Sequence, residues 1–165
     1  GGVDPAGPAL GVTETWNGSS WTEVADLNTG RYDLAASGTS TAALAFGGYV
    51  GTTVDLNESW NGSTWTELAD LVEVKRYHGA SVKGTSTAAL AFGGNDATAR
   101  IASTETWNGT SWAETTNLNT TRSSLGGAGT NTAGLAFAGD KGATFSNDTE
   151  EWTAPVNTTV TFTAS

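Results

Sequence analysis

The stretch "SGTSTAALAFGG" at residues 37–48 returns as "KGTSTAALAFGG" at 83–94 and, loosened, as "AGTNTAGLAFAG" at 128–139. Three near copies separated by roughly 45 residues make this an internal repeat, with each period one supersecondary unit. In an extended chain Leu44 and Phe46 fall on one face and Ala43 and Ala45 on the other. That is the period-two pattern of a strand covered on both sides. A face of alanines leaves room for large side chains of a neighbouring sheet.

Working outward, the other local signals are also for strand. A shorter stretch, "DLAASGT", precedes the alanine-rich strand and is joined to it by a Gly-Thr turn. After it come "TETWNGSSW" at 13–21, "NESWNGSTW" at 57–65 and "TETWNGTSW" at 104–112. Asn-Gly between two alternating runs is a hairpin signal, because a type I′ turn needs positive φ at both central residues. The same three residues complete the acceptor pattern for an N-linked glycan, but the turn alone explains their position. Trp16 and Trp21 then end on the same face of the sheet, which is expected to pack against the next unit's small residues. Each period holds four antiparallel strands and no helix, so the fold class is all-β.

Four-stranded units repeated every 40 to 50 residues are the signature of propeller blades. The chain resembles the kelch-type β-propeller, part of the galactose-oxidase-like propeller superfold. The residues that carry the likeness are the pairs Gly47-Gly48 and Gly93-Gly94, Glu14-Thr15-Trp16 in the third strand, Trp21-Thr22-Glu23 in the fourth, and Arg31 after a Leu-Asn-Thr loop. In style "TETWNGSSWTEVADLNTGR" is similar to kelch-like repeats of marine bacteriophage virion and fibre proteins. That likeness implies a virion-surface or otherwise extracellular component. Strand counting gives about three and a half blades in one domain over 1–165: a partial blade at 1–25, then blades at 31–68, 76–115 and 122–165, the last closed by "TTVTFTAS". A ring would be completed by upstream blades of a longer chain or by a second copy.

Composition narrows the functions. The net charge of −10 and pI near 4.2 disfavour nucleic acid or an anionic membrane as partner. No cysteine is present, which removes thiolate metal sites and disulfides. His78 is the sole histidine, so no His-based metal centre is expected, including the copper site of galactose oxidases, and no cofactor. Glu14, Glu58, Glu105 and Glu150 recur at the blade period, which favours a structural role over a catalytic carboxylate pair. Arg31, Arg76 and Arg122 recur likewise and are expected to fix the loop leading into each inner strand.

The hairpin turns are nearly constant between repeats, whereas the connections at the opposite ends of the strands vary. Binding residues concentrate on loops held by a rigid scaffold. The expected binding face therefore comprises Tyr32, Asp33, Tyr49, Lys75, Tyr77, His78, Asp96, Arg100 and Asp140. The reading at this point is a non-catalytic module that recognises carbohydrate or protein. The alternative is a purely architectural repeat assembling into a homo-oligomeric ring, and a glycan-active enzyme ranks third.

Overall fold

The computed structural model describes residues 1–4 and 7–154; the proposed strand at "TTVTFTAS" lies outside them. The described residues contain fifteen β-strands and no helix. Two short strands, β1 (Gly2–Val3) and β2 (Ala9–Leu10), pair with each other, and β3 (Thr13–Trp16) pairs with β4 (Trp21–Val24). Next come two four-stranded antiparallel sheets. The first is β5 (Ala35–Thr39), β6 (Ala42–Phe46), β7 (Asn57–Trp60) and β8 (Trp65–Glu67). The second is β9 (Gly79–Ala80), β10 (Ala89–Phe92), β11 (Thr104–Trp107) and β12 (Trp112–Thr115). A three-stranded sheet follows, of β13 (Gly126–Gly129), β14 (Ala133–Phe137) and β15 (Thr149–Thr153).

Strand order within each sheet is sequence order, as hairpin connections require. The first strands β5, β9 and β13 lie beside one another. Ser37 Oγ donates to the Ser81 carbonyl at 2.6 Å, and the Lys83 amide donates to the Gly129 carbonyl at 3.0 Å. Among the described residues no strand of the first hairpin pairs with the last sheet.

The alanine face does what its small side chains permit. Leu44 and Phe46 of one sheet pack against Ala80, Ala89, Ala91, Trp107 and Trp112 of the next, all buried. One sheet further on, Leu90 and Phe92 meet Ala136 and Trp152. In register Ala89 faces Trp107 across the strands, so Trp107 shares the alanine face; it and Trp112 are covered by Leu44 and Phe46 of the preceding sheet, as Trp152 is by Leu90 and Phe92. The expected packing is thereby corrected: these later tryptophans meet the large residues of the unit before, not the small residues of the unit after, and Trp16 and Trp21 themselves are largely exposed. The Trp60 and Trp107 indoles donate to the carbonyls of Ser40 and Ser86 in their own sheets' first turn or connection.

Two turns also differ from expectation. The Asn-Gly hairpins are four-residue loops in which only glycine takes positive φ, Gly18 at 101°. Asn17 instead accepts the Ser19 and Ser20 amides through its side-chain oxygen, at 2.9 and 3.0 Å, an Asx arrangement; Asn61 and Asn108 repeat it. The turn between β5 and β6 falls at Ser40-Thr41, beyond Gly38 and Thr39.

The expected Arg31–Arg76–Arg122 series is corrected as well. Arg31 pairs with Glu58, Arg122 with Glu150 at 2.7 Å, and in the middle sheet it is Lys75 that pairs with Glu105, at 2.6 Å. Counting back from "LAAS", "HGAS" and "LGGA" places Arg31, Lys75 and Arg122 in one column. Each of these three glutamates also accepts a backbone amide from the loop that leads in from the preceding sheet: Asn28 at 2.8 Å, Val72 at 2.7 Å and Asn119 at 2.7 Å. Lys75 and Glu105 are fully buried, and removing one partner of such a pair leaves the other charge uncompensated at a cost of about 3 kcal/mol or more. Glu14 holds the same strand position but is exposed. Urea unfolding of Glu105→Gln is therefore expected to show a loss of about 3 kcal/mol, against less than about 0.5 kcal/mol for Glu14→Gln. Equal losses would remove the structural distinction.

Candidate functional site

The variable connections gather at one end of the sheets because every tight hairpin turn sits at the other. Besides Ala138 at 59°, three non-glycine residues there take positive φ: Asp33 at 57°, Tyr77 at 53° and Ser124 at 52°. These three are linked in series, the Tyr77 amide donating to the Asp33 carbonyl at 3.1 Å and the Ser124 amide to the Tyr77 carbonyl at 2.7 Å. A left-handed backbone in three non-glycine residues is held only where the surroundings over-determine it. Here the chain of hydrogen bonds across three sheets does so, and it fixes the direction of the residues on either side.

Four expected site residues come together around this series. Tyr32 and Tyr49 pair across an isolated bridge, with ring centroids 5.3 Å apart. The Arg76 guanidinium lies over the Tyr49 ring at 4.4 Å and near the Tyr77 ring at 5.2 Å. The Asp33 carboxylate near the Tyr77 hydroxyl, with burial, raises the phenol above its ordinary pKa. Asp33 Oδ2, Arg76 Nε and Asn95 Oδ1 are buried and make no hydrogen bond within the protein. Beside Tyr32 and Tyr49 runs a groove of about 250 Å³, walled also by Pro8 and Val50. Arg76 and Asn95 were missed as site residues; aligning the repeats from the following strand, rather than forward from the tryptophan, would have released Arg76 from the structural column.

The remaining residues of the expected face divide. Asp96, Arg100 and Asp140 continue the same rim outward: Thr53 Oγ1 donates to the Asp96 carbonyl at 3.2 Å, and Arg100 pairs with Asp140 at 2.6 Å. The amides of Thr98 and Ala99 hold Asp96 below the usual carboxylate pKa, and Arg100 with the Gly142 amide does the same for Asp140. Lys75 and His78 turn inward. Lys75 is committed to Glu105, and its ammonium donates to Ser103 Oγ at 3.1 Å.

His78 stands in the column of Leu34 and Leu125, packed on Phe46 with ring centroids 5.6 Å apart. Both its ring nitrogens lack partners. Burial, reinforced by Lys75, lowers its pKa from 6.5 to about 3. A side chain held neutral in this way serves as a core filler. Among the described residues no group of three or more His, Asp or Glu side chains is placed to hold a metal ion.

The sequence matches no protein-family model and no curated protein. The geometry of the site is therefore what carries a functional reading.

The depressed His78 pKa has a thermodynamic consequence. The unfolded chain binds a proton here below about pH 6.5 and the folded chain does not until about pH 3, so this group destabilises the fold progressively as pH falls through that window. His78→Leu is expected to remove the effect: relative to the parent, its unfolding free energy should gain on the order of 2 kcal/mol between pH 7 and pH 4.5. Parallel losses in the two proteins would show that His78 is not buried neutral.

Proposed function

We propose that the protein is a non-catalytic recognition module of kelch-like propeller type, whose variable rim binds carbohydrate through the shelf made by Tyr32, Asp33, Tyr49, Arg76 and Tyr77. The observation that carries this reading is the set of unpartnered polar atoms, Asp33 Oδ2, Arg76 Nε and Asn95 Oδ1, lying among three clustered tyrosines. A sugar ring offers an apolar face to an aromatic and a rim of hydroxyls that both donate and accept. Buried polar groups lacking partners gain most from such hydroxyls.

A binding role is favoured over catalysis by how the other reactive groups are used. Glu58, Glu105 and Glu150 are each tied to a cation and to backbone amides, and the one histidine faces Phe46 in the core. A module of this kind suits the surface of a particle or cell, where several copies add avidity to a weak single site.

The test is a glycan array followed by calorimetry on the best ligand. Tyr49→Ala, which removes the ring under Arg76 and beside Tyr32, is expected to weaken binding about tenfold or more, equivalent to about 1.4 kcal/mol. Asp33→Asn should weaken it by a similar factor, while Phe145→Ala on the exposed outer rim should leave it within about twofold. Binding that survives Tyr49→Ala and Asp33→Asn unchanged places the ligand elsewhere.

A further inference from the structure

Arg76 differs from every other cation of the chain. Of the seven lysines and arginines, Arg31, Lys75, Arg100, Arg122 and Lys141 each pair with a carboxylate. Lys83 is exposed, where water satisfies its charge. Arg76 is half-buried and, among the described residues, pairs with no carboxylate, although the chain carries a net charge of −10. Taking a cation out of water without a counter-charge is unfavourable, so the free protein holds this guanidinium at some cost to its own stability.

The side chain is nonetheless built into place. Arg76 and Asn95 exchange both backbone hydrogen bonds, at 2.9 and 2.8 Å, as a cross-strand pair does. The guanidinium lies 4.4 Å from the Tyr49 ring centroid and 5.2 Å from that of Tyr77, both within cation–π range. Aromatic rings engage the face of a guanidinium and leave its in-plane N–H groups for a planar, bidentate acceptor such as a carboxylate. In the same cluster Asn95 Oδ1 and Asp33 Oδ2 are acceptors without donors. The corresponding bridge positions of the flanking sheets hold Tyr32 and Ser123, both neutral. The cation therefore belongs to this one place and not to the repeat.

We propose that the ligand of the tyrosine shelf is a hexuronate, whose carboxylate on C5 is gripped by Arg76 and whose hydroxyl on the adjoining C4 donates to Asn95. The inference rests on the carbohydrate reading of the shelf and narrows it to an acidic sugar. A carboxylate beside a hydroxyl-bearing carbon matches a donor fork beside an unpaired acceptor. Asp33 accepts from a further hydroxyl and repels a second acidic group. With one unpaired cation at the shelf and a net charge of −10, the chain repels densely charged polyanions. The uronate thus stands singly, at the end of a glycan or among neutral sugars. The groove beside Tyr32 and Tyr49, about 250 Å³, lies under the roughly 300 Å³ at which pockets for drug-sized ligands begin, a size for one sugar ring.

The test is a titration of the isotope-labelled full chain followed by two-dimensional NMR, which reads weak as well as tight binding. The probes are the methyl glycosides of glucuronic and galacturonic acid, the methyl esters of both, methyl glucoside, methyl galactoside and acetate. At least one uronide is expected to bind about tenfold or more tightly than its ester, its neutral counterpart and acetate, and to shift the side-chain N–H signals of Arg76 and Asn95. Arg76→Gln should remove that preference, and Lys83→Gln should keep it within about twofold. Neutral glycosides that bind as tightly as the uronides, and are lost in Tyr49→Ala, would overturn the inference and leave the carbohydrate reading standing. A glycan array blank for acidic and neutral glycans alike would remove both. Acetate binding as tightly as the uronides, or a uronide preference that survives Arg76→Gln while circular dichroism shows the variant folded, would also overturn the inference.

Discussion

A carboxylate on the third strand, buried in the two four-stranded sheets and partly buried in the last, tied at once to a cation and to a main-chain amide, is the constraint on which the rest of this molecule depends. Glu58, Glu105 and Glu150 perform that task for Arg31, Lys75 and Arg122. Burying two charges is costly, and a bare ion pair in a protein interior roughly breaks even against apolar packing. These pairs do more than cancel charge. Each glutamate also binds an amide of the loop arriving from the previous sheet, and the Arg31 guanidinium also donates to the carbonyls of Thr29, Ala45 and Gly47. One side-chain cluster therefore fastens the end of one sheet to the start of the next, where backbone groups would otherwise be buried without partners.

That fastening determines what the rim displays. The residue two positions after each buried cation is the one with positive φ, and the three such residues bond in series across the first strands. Tyr32 and Arg76, immediately after Arg31 and Lys75, are held against Tyr49 and Asn95 by single bridges. The shelf is thus built on short, over-determined backbone rather than on long loops. Between sheets the contact is simpler, with Leu and Phe on one face fitting the alanine and tryptophan face of the next.

Much of this was legible in the sequence. The strand "TAALAF" could be read because Leu and Phe alternate with alanine, and the structure uses both faces as that pattern implies. The Asn-Gly turns were found for a partly wrong reason: the asparagine is needed for its side-chain oxygen and not for positive φ. Arg76 was misplaced because it was counted from the tryptophan, across a loop that is longer in the middle repeat, so that Lys75 inherited a place on the binding face that its ion pair precludes. His78 drew attention as the lone histidine, yet the leucines at its position in the flanking repeats already marked a core site. The grouping of Tyr32, Tyr49 and Tyr77 arises only when three connections converge, which no local pattern encodes.

The central claim, that the glutamates hold the crossings between sheets, can be read directly by native-state amide hydrogen exchange. Asn28, Val72 and Asn119 lie in connecting loops, and loop amides ordinarily exchange fast. If their amides are bound to Glu58, Glu105 and Glu150 as described, they exchange as slowly as the strand amide of Leu90. Exchange as fast as that of exposed residues such as Gly51 would contradict the account.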